Sequence, residues 1–385
     1  MNMLDAQDGG ALFGRRDFLK LSLAGAGSAA AWGLFGCSGG ASAPSSDDAA
    51  SAGGPSSKRE WSFTDQNDND VMVNVPCERM VVLQHHSLDI LCQLGAQEKI
   101  VGVVDGWEKN LGSYMTDVFP GIEGLPTPGG LKEWNVENIA SLNPDVVIAA
   151  SQAPDDAVQQ VRDLGIPVVV VSLRGEGRQQ EAQNPRLADA DAAYTEGCRW
   201  AIETLGALSG EDDKARALWE FCEESRAIVD EAVAGIGDDD RPSAAVLADG
   251  IAYGNDKYVG CMLLRAGAVN AVAAAGVQGN TDYNAELVAA WSPDVIITQD
   301  RYDDRDAILH DAQYAALDAV KDGRVVDSPY WTKPWGNPDA DSIALGEMWM
   351  AHVFYPDLIS ADQVEARAAE FYETFYGVEF TGSVE

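Results

Sequence analysis

From Met80 onward the chain alternates short, wholly apolar runs with longer stretches in which apolar residues recur every three or four positions. Met80–Leu83, Val101–Val104, Asp145–Ala149 and Pro167–Val171 are such runs, and their length suits strands buried on both faces. Between the first two, Ser87–Leu94 reads as a helix, with Ser87 as its N-cap and Gly95 as its stop. After Gly237 the alternation returns with Ala244–Ala248, Asp294–Thr298 and Arg324–Asp327. Strands separated by helices form βαβ units around parallel sheets. Ahead of them, Trp61 to Val75 alternates in polarity about a polar turn, Asp65 to Asp70, and reads as a hairpin. The turn has the look of a calcium loop, but an EF-hand needs Gly at its sixth place and Glu at its twelfth. Counted from Asp65 those places hold Asp70 and Pro76, which excludes calcium.

One phrase occurs twice. Glu137-Asn-Ile-Ala-Ser-Leu-Asn-Pro144-Asp145-Val-Val-Ile-Ala returns a domain's length later as Glu286-Leu-Val-Ala-Ala-Trp-Ser-Pro293-Asp294-Val-Ile-Ile-Thr. Each copy reads as a short helix, a Pro-Asp turn and a buried strand, so the chain holds two lobes of common architecture and is not a solenoid. Between them, Ala215, Leu218, Trp219, Cys222, Ile228, Val229 and Val233 line one face of a long helical stretch bounded by Gly210 and Gly235/Gly237. The expected fold is α/β: two Rossmann-like lobes, each with a mostly parallel sheet, joined by a single long α-helix, with a ligand cleft between them. The boundaries fall at 59–210 for the first lobe, 211–237 for the linking helix and 238–385 for the second lobe.

Composition narrows the function. The chain has 385 residues and a formal net charge of −36. A polyanion such as nucleic acid needs basic patches, so nucleic-acid binding is excluded. Residues 1–36 read as an export signal: Gly14-Arg15-Arg16-Asp17-Phe18-Leu19-Lys20 is a twin-arginine pattern, followed by an apolar stretch shorter than the about 20 residues of a membrane span. The stretch ends in Leu34-Phe35-Gly36-Cys37, a lipoprotein cleavage pattern with Cys37 as the acylated residue. Residues 37–58, rich in Ser, Gly and Ala, read as a flexible tether. Five further cysteines remain, without a CxxC. Cys92, Cys198 and Cys222 read as small core residues, while a disulfide at Cys77 or Cys261 stays open.

Ligands of parallel α/β lobes gather beyond the carboxyl ends of the strands. Those ends carry His85 and His86, then Trp107, then Arg174, in the first lobe. In the second they carry Tyr253, then Arg301 and Tyr302, then Trp331 and Trp335. Aromatic walls with a few fixed charges suit a large planar or chelated ligand, and at least two of the three Trp are expected to face the cleft. Adjacent residues point apart, so only one of His85 and His86 is expected to reach inward, as pocket lining or as a metal ligand. No GxGxxG after a strand, P-loop, HExxH, GxSxG or CxxCH occurs, so nothing supports an enzyme.

Several phrases in order carry a family resemblance. They are Val73-Asn74-Val75-Pro76 before Arg79–Leu83, Leu88-Asp89-Ile90-Leu91, Asn143–Ala149, Leu263–Gly267 and Ala316–Val325. Over about residues 60–360 the chain resembles the substrate-binding proteins of ABC importers for iron–siderophore complexes, heme and cobalamin. The resemblance implies an extracytoplasmic, lipid-anchored, monomeric protein on the outer face of the cytoplasmic membrane. Such a protein captures a metal chelate and delivers it to a permease dimer and its ATPase, with no cofactor of its own. An iron–siderophore complex is the first expectation, then a corrinoid, then heme. It also implies a basic ligand contact near Lys132 and Trp134, and permease docking through Glu137 and Glu286. The competing classes are an exported cofactor-binding enzyme and a tethered sensor of the same fold.

Overall fold

The computed structural model describes residues 58–176 and 184–384. The expected twin-arginine signal, the Cys37 anchor and most of the tether lie outside these residues. No helix among the described residues is long and apolar enough to cross a membrane.

The first lobe opens with strands β1 (Arg59–Thr64) and β2 (Asp70–Val75), an antiparallel hairpin. Its turn is held by Asp65, whose Oδ1 accepts from the Asn67 and Asn69 backbone amides, both at 2.9 Å, while Oδ2 accepts from Val170 N at 3.0 Å. The polar turn is therefore a clamp onto the sheet. Strands β3 (Met80–Leu83), β4 (Ile100–Val103), β5 (Val146–Ala150) and β6 (Val168–Val171) form an all-parallel sheet in the order β4-β3-β5-β6. Every residue of β3, β5 and β6 is buried, as their apolar runs require.

The second lobe carries β7 (Ser243–Ala248), β8 (Ile251–Tyr253), β9 (Val269–Asn270), β10 (Asn280–Asp282), β11 (Val295–Gln299) and β12 (Val325–Ser328). The order is β10-β8-β7-β11-β12, with β9 also on β7. Strands β9, β7, β11 and β12 run parallel, but β8 and β10 add an antiparallel edge. The cause is local. Asp249 and Gly250 both adopt positive φ, 52° and 76°, and an Asp-Gly pair with that geometry reverses the chain in two residues. Ala248 therefore pairs with Ile251 and the sheet gains a hairpin.

The linking helix spans Asp212–Val233, antiparallel in sequence to its neighbour Ala190–Ser209 across the Gly210 turn. The chain after β12 does not stay with the second lobe. Helix Glu347–Phe354 packs on the linking helix and on Tyr258–Arg265, Arg367 of helix Ala361–Phe371 donates to Ser225 Oγ and Phe221 O of the linking helix, and Tyr372–Tyr376 reaches the first lobe, where Gln93 donates to the Tyr376 hydroxyl. Phe221 meets Phe371 and Phe375 edge-on at 5.5 and 5.4 Å. Arg226 donates from Nη2 to Glu347 Oε1 at 2.8 Å, and the Tyr258 hydroxyl donates to the same oxygen at 2.8 Å. The base of the cleft is thus a shared core stitched by a buried ion pair. All five described cysteines are free and buried, and burial pushes their thiols well above the ordinary range, Cys77 to about 12.

Candidate functional site

The loop Trp335-Gly336-Asn337, beyond β12, forms one wall of the site, and basic groups from both lobes converge on it. Beyond β3 the first helix starts at His85, not Ser87, with Gln84 as N-cap. Ser87 instead donates its hydroxyl to Gln84 Oε1 at 2.5 Å. Starting two residues early puts both histidines in the first helical turn, where consecutive side chains diverge by about 100° and not by the 180° of a strand. Their rings sit side by side, 4.2 Å between centroids, and both meet Trp335 edge-on at 5.7 and 5.3 Å. The expectation that one of the pair points away is corrected on this ground.

Beyond β6, Gln66 Oε1 accepts from Ser172 N and Leu173 N at 2.8 and 2.9 Å, and Leu173 takes a left-handed φ of 60°. That turn aims Arg174 across the cleft. Gly197 is required beside it, since a Cβ there would lie 2.2 Å from Arg174 N. Arg174 is 1% exposed. Nη1 reaches Asn337 Oδ1 at 3.4 Å and Tyr194 stands nearby, while Nε and Nη2 have no hydrogen-bond partner among the described residues. From the second lobe, Lys257 precedes helix Tyr258–Arg265, is buried, and lies 3.4 Å from where a Cβ on Gly336 would stand. Beyond β11, the Arg301 guanidinium lies over Tyr302 and Trp335, 4.9 and 5.4 Å from the ring centroids, with Nε donating to Gln299 Oε1 at 3.0 Å. Gln299 in turn donates to Pro334 O at 3.0 Å and so ties the Trp335 loop to β11.

Burial dominates the electrostatics. It pulls His85 down to about 4, with Arg301 adding to the effect, and holds His86 well below its usual value, with His85 and Lys333 adding. The Asn337 backbone pulls His86 the other way, though short of a hydrogen bond. Both rings are neutral at neutral pH, and the nitrogens His85 Nδ1, His86 Nδ1 and His86 Nε2 have no hydrogen-bond partner among the described residues. Lys257 is pulled down to about 8 by burial and by Arg174, and burial lowers Arg174 as well. Buried basic groups with unused hydrogen-bonding atoms suit an anion.

Behind this pocket lies a second buried group. The Lys333 ammonium contacts both Asp89 and Asp341. Tyr114 and Tyr376 donate hydroxyls to Asp89 Oδ1, each at 2.9 Å. Oxygens of Asp89, Asp339 and Asp341 lie within 4.8 Å of one another, a spacing that suits a cation, and Lys333 supplies it. Burial, with Asp89 nearby and against the pull of Lys333, pushes Asp341 up to about 7. Asp89 is one helical turn beyond His85, and Lys333 is two residues before Trp335, so this cluster fixes the two walls of the pocket to each other.

Of the expected residues, His85, His86, Arg174, Arg301, Tyr302 and Trp335 come together, with Tyr253 beside Arg301 and Tyr302. Four do not. Trp107 is buried in the first lobe's core, because Gly106 takes φ 71° and starts the helix Trp107–Leu111 inward. Lys132 is exposed, and Trp134 donates to Gly130 O at 3.1 Å, along a shallow groove outside the pocket. Trp331 donates to Ser383 O at 3.2 Å and meets Phe380 edge-on at 5.4 Å. It lines an outer groove of about 380 Å³ with Tyr114, Tyr330, Tyr372 and Phe380. Of the three Trp, only Trp335 meets the basic cluster. Sequence reasoning missed Lys257 and Asn337, four residues past Tyr253 and two past Trp335, and it missed the Lys333 cluster, whose members are scattered from 89 to 376.

Glu137 and Glu286 are exposed in the first turns of helices Val136–Ser141 and Ala285–Trp291. Both helices are capped alike: Asn135 accepts from Asn138 N and Asn284 from Leu287 N, each at 2.9 Å. The repeated phrase is a repeated local structure.

The family model described as periplasmic binding protein matches residues 80–330. The molybdate-binding protein MolA of Haemophilus influenzae is 36% identical over 317 residues, covering 82% of this chain and 90% of that protein. A solved structure of H. influenzae MolA bound to molybdate superposes with a TM-score of 0.78 at 35% identity, covering 83% of this chain and 99% of that one. An uncharacterized ABC transporter substrate-binding lipoprotein of Bacillus subtilis, YvrC, is 26% identical over 270 residues, covering 68% of this chain and 76% of its own. These relatives are solute-binding proteins and not enzymes. The chain belongs to the periplasmic binding protein family, as a substrate-binding protein of an ABC importer.

Proposed function

We propose that the ligand is a small, doubly charged tetrahedral oxyanion of the molybdate type. The observation that carries this reading is the convergence of Arg174, Lys257, His85 and His86 around Gly336–Asn337, where nitrogens of Arg174, His85 and His86 have no hydrogen-bond partner among the described residues. Donors fixed in a water-poor site are worth more to an anion than the same donors in solvent. The walls already touch: both histidines contact Trp335, and the Tyr330 hydroxyl donates to Asn110 O across the cleft. A siderophore complex or a corrinoid needs those contacts parted. The MolA relative is named for molybdate, which agrees with the enclosure. The direct test is calorimetric titration of the purified chain with sodium molybdate. One-to-one binding supports the reading, and absence of heat with molybdate and tungstate refutes it.

A second reading keeps a metal chelate, favoured by the aromatic outer groove beside Arg301. Binding of a ferric siderophore, cobalamin or heme with Trp quenching is its signature. In either case delivery proceeds by closure of the lobes on ligand and docking on a dimeric permease through Glu137 and Glu286. The Cys37 lipid tether, after twin-arginine export, holds the protein at the outer face of the cytoplasmic membrane.

A further inference from the structure

Arg174 reaches the pocket from a turn that leucine does not adopt freely. Leu173 takes φ 60°, in the left-handed region that favours glycine, and its side chain is fully buried. A side chain from outside the loop holds this turn. Gln66 lies far away in sequence, in the turn between β1 and β2, and both ends of its amide are engaged here. Oε1 accepts from Ser172 N at 2.8 Å and from Leu173 N at 2.9 Å, while Nε2 donates to Gly197 O at 2.9 Å. One planar group thus joins two donors of the turn to an acceptor of helix Ala190–Ser209. We propose that Gln66 is a positioning residue of the anion site: it sets where the Arg174 guanidinium points, and so the affinity for the anion, by acting through Arg174 and not on the ligand. The assignment rests on the oxyanion reading.

The neighbouring contacts support it. Both lone pairs of Gln66 Oε1 are taken by the turn. Gly197 shows how closely turn and helix are pressed together, since a Cβ there would stand 2.2 Å from Arg174 N and 2.4 Å from Leu173 C. The chain on either side of the turn is anchored separately. Gln84 Nε2 donates to Val171 O at 3.0 Å, Val170 N donates to Asp65 Oδ2 at 3.0 Å, and Gly175 N donates to Ala193 O at 2.6 Å. Within the turn, the bond from Arg174 N to Ser172 Oγ is long at 3.3 Å. At the guanidinium end, Nη1 meets Asn337 Oδ1 at 3.4 Å with Tyr194 nearby, and Nε and Nη2 have no hydrogen-bond partner among the described residues. The backbone turn therefore sets much of the guanidinium's direction, and Gln66 holds the turn.

The test is calorimetric titration of the full chain to millimolar molybdate, with melting measured on the same samples. Gln66→Met keeps the length of the side chain and loses all three hydrogen bonds. It is expected to raise Kd by roughly tenfold at a temperature where the protein is folded, because the supporting contacts of a site fix its geometry. Asn69→Ala disturbs the same hairpin turn, where Asn69 donates to Asp65, but leaves the Gln66 amide in place, and is expected to bind as wild type does. A second background separates positioning from general loosening. In Arg174→Lys a point charge on a flexible stem replaces the rigid fork, so Gln66→Met is expected to change the Kd of that variant by less than about twofold. Should Gln66→Met not fold, Gly197→Ala presses on the same turn from the helix side, and the same comparisons apply to it. An unchanged Kd in Gln66→Met, an equal loss in both backgrounds, or an equal loss in Asn69→Ala overturns the assignment alone. Absence of molybdate binding by wild type overturns the oxyanion reading and the assignment with it.

Discussion

Arg174 shows how a single residue divides stability from function. Arg174 is 1% exposed, and two of its guanidinium nitrogens have no hydrogen-bond partner among the described residues. A buried charge without its counter-ion costs folding free energy, and the same charge repays it when an anion arrives. Arg174→Met is therefore expected to leave the ligand-free protein as stable as wild type or more so, while molybdate affinity falls by about 2–5 kcal/mol. Melting and titration on one sample check both. The tryptophans separate in the same way. Trp335→Ala is expected to weaken binding, because its ring orders both histidines. Trp331→Ala is expected to cost about 3–5 kcal/mol of stability and leave Kd unchanged, because its partners are Ser383 and Phe380. The sequence rule that ligands collect beyond strand ends picked out most of the residues that come together here, but it could not tell these two tryptophans apart. They share a loop, and only the left-handed turn at Lys333, φ 40°, sends one inward and the other under the C-terminal segment.

Among the elements, the helix His85–Gln93 does the most. Its first turn offers two neutral imidazoles to the pocket, and its second turn offers Asp89 to Lys333. Lys333→Met is expected to destabilise the protein by about 3–5 kcal/mol, since Asp89 and Asp341 are then left buried without their cation. Removing the carboxylates as well, in Lys333→Met with Asp89→Leu and Asp341→Leu, is expected to recover most of that loss, which denaturant unfolding measures. Failure of the triple variant to recover would mean that the cluster's hydrogen bonds from Tyr114 and Tyr376 matter more than its charge. Strands and the linking helix were legible in the sequence because apolar runs and a 3.6-residue period are strong local signals. The helix start at His85 was not, because Ser87 is a better local cap than Gln84. The antiparallel edge of the second lobe was legible in principle: Asp249-Gly250 between apolar runs is a hairpin signal that the dominant βαβ pattern obscured.

At the scale of the molecule, the two lobes share one base, and each presents the same capped helix with one exposed carboxylate. Glu137 and Glu286 are the pair proposed to meet a two-subunit permease, and each also sits where a helix dipole favours an acid by about 0.3–1 kcal/mol. Glu137→Arg with Glu286→Arg is expected to keep ligand affinity, lower the melting temperature slightly, and abolish permease-stimulated ATP hydrolysis. Unchanged stimulation would remove both residues from the interface. The pairing itself was visible from the repeat, whereas the pocket's charge balance was not. Lys257 and Lys333 lie far from Arg174 and Asp89 in sequence, and only the folded cleft brings them together.

The central claim is that the cleft encloses a small oxyanion, not a large chelate. Native mass spectrometry of the folded chain, offered molybdate, a ferric siderophore, cobalamin and heme in equal amounts, tests it most directly. The account predicts a single added mass carrying the isotope pattern of molybdenum, displaced by tungstate and lost in Arg174→Met. A bound siderophore, corrinoid or heme with no molybdenum in the complex would contradict it.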